Sequence, residues 1–403
     1  MSRRSLAKLL VIAVIPLLLG VSGGTPSTPS YRFSREAGPY VDTIVGWMLE
    51  NTAGKAREAA TQPSATPEED QAYFQLVGRL LRLSYSMGSI ATGETGKVAA
   101  TASDVAALQS QVEALRPEVE RSIQQQIGAA LDAAGLGHSL GNAGLLFPPV
   151  LFRFTSPPYL LVVSPRDKIE QLTTVLLRSD MTLAEAEQLE DTISRQGYSA
   201  LVVEIGGLGV YPSMVPESPD IQWTLRTVAH EWSHQFLAFR PLGWRYAFGA
   251  ERNSSMVSIN ETAADIIGRE IGDEVFHQYY QEPGQQLPPS SPQGEEFRKE
   301  MRDIRTRVDA LLAQGRVDEA ESYMESAREG LARQGYLIRK LNQAYFAFYG
   351  SYSDQLSLGG AQGDDVGSRL HLLRDRSASL GDFVWKVSSL TSYDDLRRLT
   401  STP

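Results

Sequence analysis

The chain contains no cysteine. That excludes disulfides, thiolate ligands to zinc and a lipid anchor attached through a cysteine. Histidine is scarce, with five in 403 residues, so a site that needs imidazoles has few to draw on. Positive charge is outnumbered: the net charge of −10 argues against nucleic acid as a partner. Long apolar runs are missing too. The run Leu9 to Val21 is shorter than the ~20 residues a spanning helix needs.

What is present describes a globular protein. Apolar residues make up 42% and charged residues 21% of the chain, enough at this length for a sizeable core and two domains. Arg3, Arg4 and Lys8 precede the run Leu9 to Val21, and Val21-Ser22-Gly23 offers small residues for cleavage. Residues 1–23 thus have the layout of a secretory signal, which implies export. An uncleaved N-terminal anchor, attaching the chain to a membrane, is the second reading of the same stretch.

Hydrophobic periodicity divides the remainder into three parts. Residues 24–144 read as a helical subdomain: a helix over Pro39 to Ala60, one from the cap Thr66 to about Met87, and one over Ser103 to Ala134 with a kink expected at Pro117. Residues 145–285 change texture. Val150 to Phe154 and Tyr159 to Ser164 read as strands joined by a turn at Ser156-Pro157-Pro158, followed by a helix at Leu183 to Gln196. A strand at Ala200 to Ile205, a turn at Gly206 to Gly209 and a short strand at Val210 to Val215 complete the pattern. Residues 286–403 read as a C-terminal helical region, with a helical hairpin (Glu295 to Ala313 and Asp318 to Gln334) and an aromatic helix from Tyr336 to Phe348. The expected class is α+β, mostly helical, with a small sheet beside the helix Ile221 to Arg240.

That helix carries His230-Glu231-Trp232-Ser233-His234, an H-E-x-x-H pattern. Four residues are slightly more than one helical turn, so both imidazoles lie on one face and reach one zinc ion. Glu231 is then placed to act as general base on a water at that ion. A hydrolytic zinc needs a third protein ligand and one open position. Glu261, in Asn260-Glu261-Thr262-Ala263-Ala264-Asp265, is the preferred candidate, with Glu251, Glu270 and His277 as rivals. Glu261 and Asp265 share a helix face, and the small Ala264 and Gly268 allow close approach to the His230 helix. Asp265 would accept the far N–H of a ligand histidine. It also stands four residues before Arg269, the spacing of an ordinary helix ion pair.

His230-Glu231-x-x-His234 followed by Asn260-Glu261-x-x-Ala264-Asp265 resembles the gluzincin class of zinc metallopeptidases. The resemblance spans residues 199 to 272. It implies a zincin-like core built from a small sheet, the H-E-x-x-H helix and the Glu261 helix. It further implies His230, His234 and Glu261 as zinc ligands, Glu231 as catalytic base, Asp265 behind the ligands, and a peptide or protein as substrate. By the same resemblance, the segment Gly206 to Val215 would pair with extended substrate. Tyr246, Tyr345, Tyr349, Tyr352 and His371 are candidate donors to the oxyanion. A reading of a different class is an envelope interaction protein whose helical regions bind partners around a structural or vestigial zinc site.

Overall fold

The structure, a computed structural model, describes residues 29–42, 44–61, 63–88, 95–140, 143–248, 254–281, 292–349 and 365–401. The signal-like stretch 1–23, Glu251 and Tyr352 lie outside them. Among the described residues no helix is long and apolar enough to cross a membrane.

The chain begins with α1 (Pro29–Glu36), α2 (Ile44–Thr61), α3 (Pro67–Gly88) and α4 (Thr95–Ala133). At the head of α3, Thr66 Oγ1 accepts from Glu69 N at 3.3 Å and Glu69 Oε2 accepts from Thr66 N at 2.7 Å. This reciprocal pair satisfies two amide donors that the helix leaves open. Pro117 lies inside α4, which continues through it as one helix.

The strands are β1 (His138–Leu140), β2 (Ala143–Leu145), β3 (Phe152–Phe154), β4 (Tyr159–Pro165) and β5 (Thr173–Leu177). Then come α5 (Leu183–Ser194), β6 (Tyr198–Val203) and β7 (Ser213–Val215). The two strands flanking Ser156-Pro157-Pro158 form, but they join different sheets. β3 runs parallel to β7, whereas β4 is the centre of an antiparallel sheet in the order β5-β4-β6. Two successive prolines supply no amide hydrogen to a ladder, and here they carry the chain from one sheet to the other. β5, rich in threonine, valine and leucine, is an additional strand that the hydrophobic runs did not single out.

The rest of the chain is helical among the described residues: α6 (Ile221–Leu237), α7 (Pro241–Phe248), α8 (Ser254–Tyr279), α9 (Pro292–Leu312), α10 (Val317–Arg333), α11 (Gln343–Tyr349), α12 (Val366–Asp375), α13 (Leu380–Ser388) and α14 (Tyr393–Ser401). The mostly helical α+β class is thus observed. The aromatic helix is shorter than expected, with residues 336–342 irregular ahead of α11.

Four apolar clusters organise these elements; the smallest packs Ile44 and Met48 of α2 against Val210, Tyr211 and Met214. The three-stranded sheet buries Val162, Leu201 and Val203 against α9, α10 and α11 on one face. Its other face buries Leu161, Val163 and Val202 against α1 and α5. That alternation is the period-2 rule of a strand. The largest cluster holds α3, α4, β3, α6, α8 and the C-terminal helices, with Tyr73, Ile123, Phe152, Trp232, Ile267 and Phe383 all fully or nearly fully buried. So α6 shares its core with the N-terminal helices and the β3–β7 pair, not with the three-stranded sheet.

Within that cluster α6 and α8 pack backbone to backbone. A Cβ on Gly268 would sit 2.8 Å from Arg226 O and 2.9 Å from His230 Cβ, and one on Gly272 would sit 2.6 Å from Arg226 N and Cα. Ala264 is fully buried. Positions 264, 268 and 272 form one small-residue stripe at helical spacing, and the helices close along it. Arg226 Nε and Gln222 Nε2 both donate to Asp273 Oδ1, at 2.6 and 2.9 Å, and tie the same pair. Gly272→Ala is expected to destabilise the fold by about 1–3 kcal/mol through overpacking. Gly46→Ala on α2, where an added Cβ meets nothing within 4 Å, is expected to stabilise it by about 0.5–1 kcal/mol. Urea unfolding of the two variants beside the unchanged chain checks the opposite signs.

Candidate metal centre

α6 starts on a side-chain cap: Asp220 Oδ1 accepts from Trp223 N at 2.9 Å. From Ile221 to Leu237 it holds neither proline nor glycine. One side is anchored by Leu225, Val228, Trp232 and Phe236 in the main cluster, and Trp232 Nε1 donates to Pro148 O at 2.8 Å. This fixes the rotation of the helix and aims His230 and His234 at α8.

Three donor atoms converge there. His230 Nε2 and His234 Nε2 are 3.1 Å apart, and Glu261 Oε2 lies 3.4 Å from the second and 3.7 Å from the first. A tetrahedral zinc, ~2.0–2.1 Å from its nitrogen and oxygen ligands, places those ligands roughly 3.4 Å apart. The triangle therefore has the size of three zinc ligands. Glu261 is nearly buried.

The outer face of each ring is also engaged. His230 Nδ1 is 2.9 Å from Asp265 Oδ1, and His234 Nδ1 is 2.7 Å from Asn260 Oδ1. The Asn260 acceptor at His234 Nδ1 and the carboxylate oxygen beside His230 Nδ1 favour N–H at both positions, which leaves the lone pairs on Nε2. Two lone pairs facing at 3.1 Å beside a carboxylate oxygen repel unless a proton or a cation lies among them. Acceptors behind the rings are the usual means of orienting a metal-binding histidine. Asp265 takes His230 as its partner, the arrangement expected of a residue behind the ligands. Asn260 holds His234 in the same way. The motif by itself gives Asn260 no role; an amide one residue before the candidate ligand is the signal that points to it.

Electrostatics point the same way. Burial pulls His230 down, but the Asp265 and Glu231 carboxylates outweigh it and the neighbouring His234, leaving His230 above its ordinary value. Burial likewise pulls His234 down, and Glu261, Glu231 and Asn260 overcome it and raise it to about 9. Glu231, Glu261 and Asp265 are three buried carboxylates around two imidazoles, an excess of negative charge that a divalent cation offsets.

Glu231 stands apart from the triangle. Its carboxylate makes no hydrogen bond or ion pair among the described residues; burial above all pushes its pKa up, the charges of His230 and His234 pull against it, and Glu261 and Asp265 add to the rise. It faces the turn between β6 and β7. A Cβ on Gly207 would fall 2.2 Å from Glu231 Oε1, and one on Gly209 would fall 2.9 Å from His234 Cβ. The turn is held down from α6 by Gln235 Nε2, which donates to Val210 O and, at 2.8 Å, to Ser213 Oγ. Leu208 and Met214 exchange backbone hydrogen bonds of 2.9 and 3.0 Å. Glycine is required at 207 because any side chain there would displace the glutamate.

No family model, no curated protein and no solved structure matches this chain.

The rival third ligands separate cleanly. Glu270 is held by Arg374, whose Nε and Nη2 donate at 2.7 and 2.8 Å. His277 is exposed near the end of α8 and paired with Gln281. Neither belongs to the cluster His230, His234 and Glu261, the one such group found among the described residues. Of the candidate oxyanion donors, Tyr345 and Tyr349 pack against each other on α11, with ring centroids 4.4 Å apart, and His371 is exposed on α12. The side chain of Tyr246 lies outside the description.

Glu261→Ala is expected to abolish stoichiometric zinc binding, and Asn260→Ala or Asp265→Ala to weaken it roughly 10–100-fold, read by zinc titration against a competing chelator. Because Glu261, Glu231 and Asn260 hold His234 above its ordinary value, at about 9, the ring favours its protonated form near neutral pH and must lose a proton to bind metal. Calorimetric zinc titrations at pH 7 in buffers of different ionisation enthalpy should show net release of about one proton; uptake with no release would contradict the assignment.

Proposed function

We propose that the chain is an exported zinc-dependent peptidase of the gluzincin kind. The observation that carries this reading is the triangle of His230 Nε2, His234 Nε2 and Glu261 Oε2, with sides of 3.1 to 3.7 Å, beside a buried carboxylate that is not part of it. A purely structural centre has no use for that fourth group. Zinc bound to the three residues supplies a Lewis acid that acidifies a water and polarises a carbonyl.

The chain's own residues do the rest. Asp265 and Asn260 keep the two rings turned with Nε2 inward. Glu231, unpaired and with its pKa raised by burial, takes the proton from the attacking water and delivers it to the departing amine. A carboxyl whose affinity for protons is raised performs both halves of that transfer better than an ordinary glutamate near neutral pH. The glycines at 207 and 209 keep the approach to that carboxylate free of side chains. Export rests on the signal-like residues 1–23, and a zincin-like core on the pairing of α6 with α8.

Glu231→Gln is expected to retain one zinc per chain and lose about 10²–10⁴-fold in peptide hydrolysis. Zinc quantification paired with a peptide-cleavage assay checks it. Full activity in that variant would remove Glu231 from its role, and zinc without cleavage of any peptide by the unaltered chain would remove the reaction.

A further inference from the structure

A cavity of about 510 Å³ opens between β6, α5 and the segment that leads into α11. Its wall includes Tyr159, Tyr345, Tyr349, Glu204, Arg339 and Lys340. The acid and the two cations differ in what their charges already do. Arg339 donates through Nη1 and Nη2 to Glu190 and through Nη2 to Val202 O at 3.0 Å, and Lys340 Nζ donates to Glu190 Oε2 at 3.1 Å. Those cations are spent on a buried acid and on the strand. Glu204 has no cationic partner among the described residues. Its carboxylate accepts a long hydrogen bond of 3.4 Å from Tyr159 Oη. Burial, and after it the Glu204 charge, hold the Tyr349 hydroxyl above its ordinary value, which marks that ring as a neighbour of the carboxylate.

The cavity is built for a side chain and not for an added strand. The outer edge of β6 is already taken: Val202 N donates to Glu190 Oε1 at 2.7 Å, and Ala200 O accepts from Asn342 Nδ2 at 2.9 Å. What stays open is the half-buried surface of Tyr159 and Tyr349 with the exposed carboxylate of Glu204, which has no cationic partner among the described residues, the combination that attracts an organic cation through its ring faces and its charge. The location ties it to the metal centre. Glu204 is followed by Ile205, Gly206 and Gly207, and Gly207 packs on Glu231. Three residues reach at most about 11 Å, a few residues of extended peptide from the reacting bond.

We infer that this cavity takes a lysine or arginine side chain of the substrate, its stem on Tyr159, Tyr345 and Tyr349 and its charge against Glu204. The inference deepens the peptidase reading and rests on it for the word substrate. It gives that reading a substrate class, peptides with a basic residue a few positions from the cleaved bond.

The test uses the full chain carrying Glu231→Gln, so that bound peptide is not consumed. The probes are fluorescein-labelled hexapeptides in which one lysine is walked along an alanine chain, with norleucine and glutamate counterparts. Anisotropy titrations should show, at one position, a Kd for lysine roughly tenfold below that for norleucine. Adding Glu204→Gln should bring that ratio to about one, as expected when the charge it relies on is gone, while zinc content and norleucine-peptide binding hold. Tyr349→Leu should lower the ratio without altering zinc content. A lysine-to-norleucine ratio near one at every position, a preference for glutamate, or a preference for lysine that survives Glu204→Gln would each overturn the inference. If the lysine preference appears but the chain with Glu231 intact cuts none of the peptides, the cavity assignment stands and the hydrolase reading falls.

Discussion

The close approach of α6 and α8 is the constraint on which the site depends. Three ligand atoms meet within 3.7 Å of one another only because Ala264, Gly268 and Gly272 bring no bulk between the helices. The distances at Gly272, 2.6 Å from an imagined Cβ to the Arg226 backbone, leave no room for adjustment by rotamer. The helix axes, not the side chains, set the geometry. Asp273 then fastens the pair from the other end through Arg226 and Gln222, and the apolar face of α6 supplies the cohesion, as helical packing generally does.

Around that contact the chain concentrates charge it would otherwise keep in water. Burying three carboxylates costs free energy unless each is compensated. Asp265 has His230 beside it, and Glu261 has both imidazoles in range. Glu231 makes no hydrogen bond or ion pair among the described residues, and the charges of His230 and His234 offset its burial only in part. Buried acids with perturbed proton affinity gather where chemistry is done. The glycine turn that covers Glu231 belongs to the same arrangement, since it walls the carboxylate without offering it a side-chain partner.

The turn also joins two parts of the molecule that share little core. On one side lies the large cluster with α6 and α8; on the other lies the three-stranded sheet between two helical layers. Residues 204–212 run from β6, past the tyrosine-lined cavity, onto Glu231 and back to β7. Position along one short segment thus links the cavity beside Glu204, which has no cationic partner among the described residues, to the buried Glu231.

Much of this was legible in the residue pattern. The i, i+4 histidines, the acid between them and the Glu261–Asp265 pair are local features, and helical periodicity alone puts each set on one face. The cap at Thr66, the helical hairpin and the mostly helical α+β class are local in the same sense. Other features were not legible. β3 and β4 looked like neighbours but joined different sheets, because pairing partners are chosen by burial across the whole chain. Nothing near residue 260 could tell which histidine Asp265 would face, or that Asn260 would hold the other.

The sequence by itself determined the chemistry on offer: two imidazoles and three carboxylates in short helical motifs, no thiol, and glycines where bulk would intrude. Only the tertiary structure decided that Glu261, not Glu270 or His277, meets the histidines. Arg374 draws Glu270 away and His277 lies on the exposed far end of α8. The reason is physical. Spacing along a helix fixes which face a residue occupies, but the partner of that face is chosen by side chains distant in sequence that share its core.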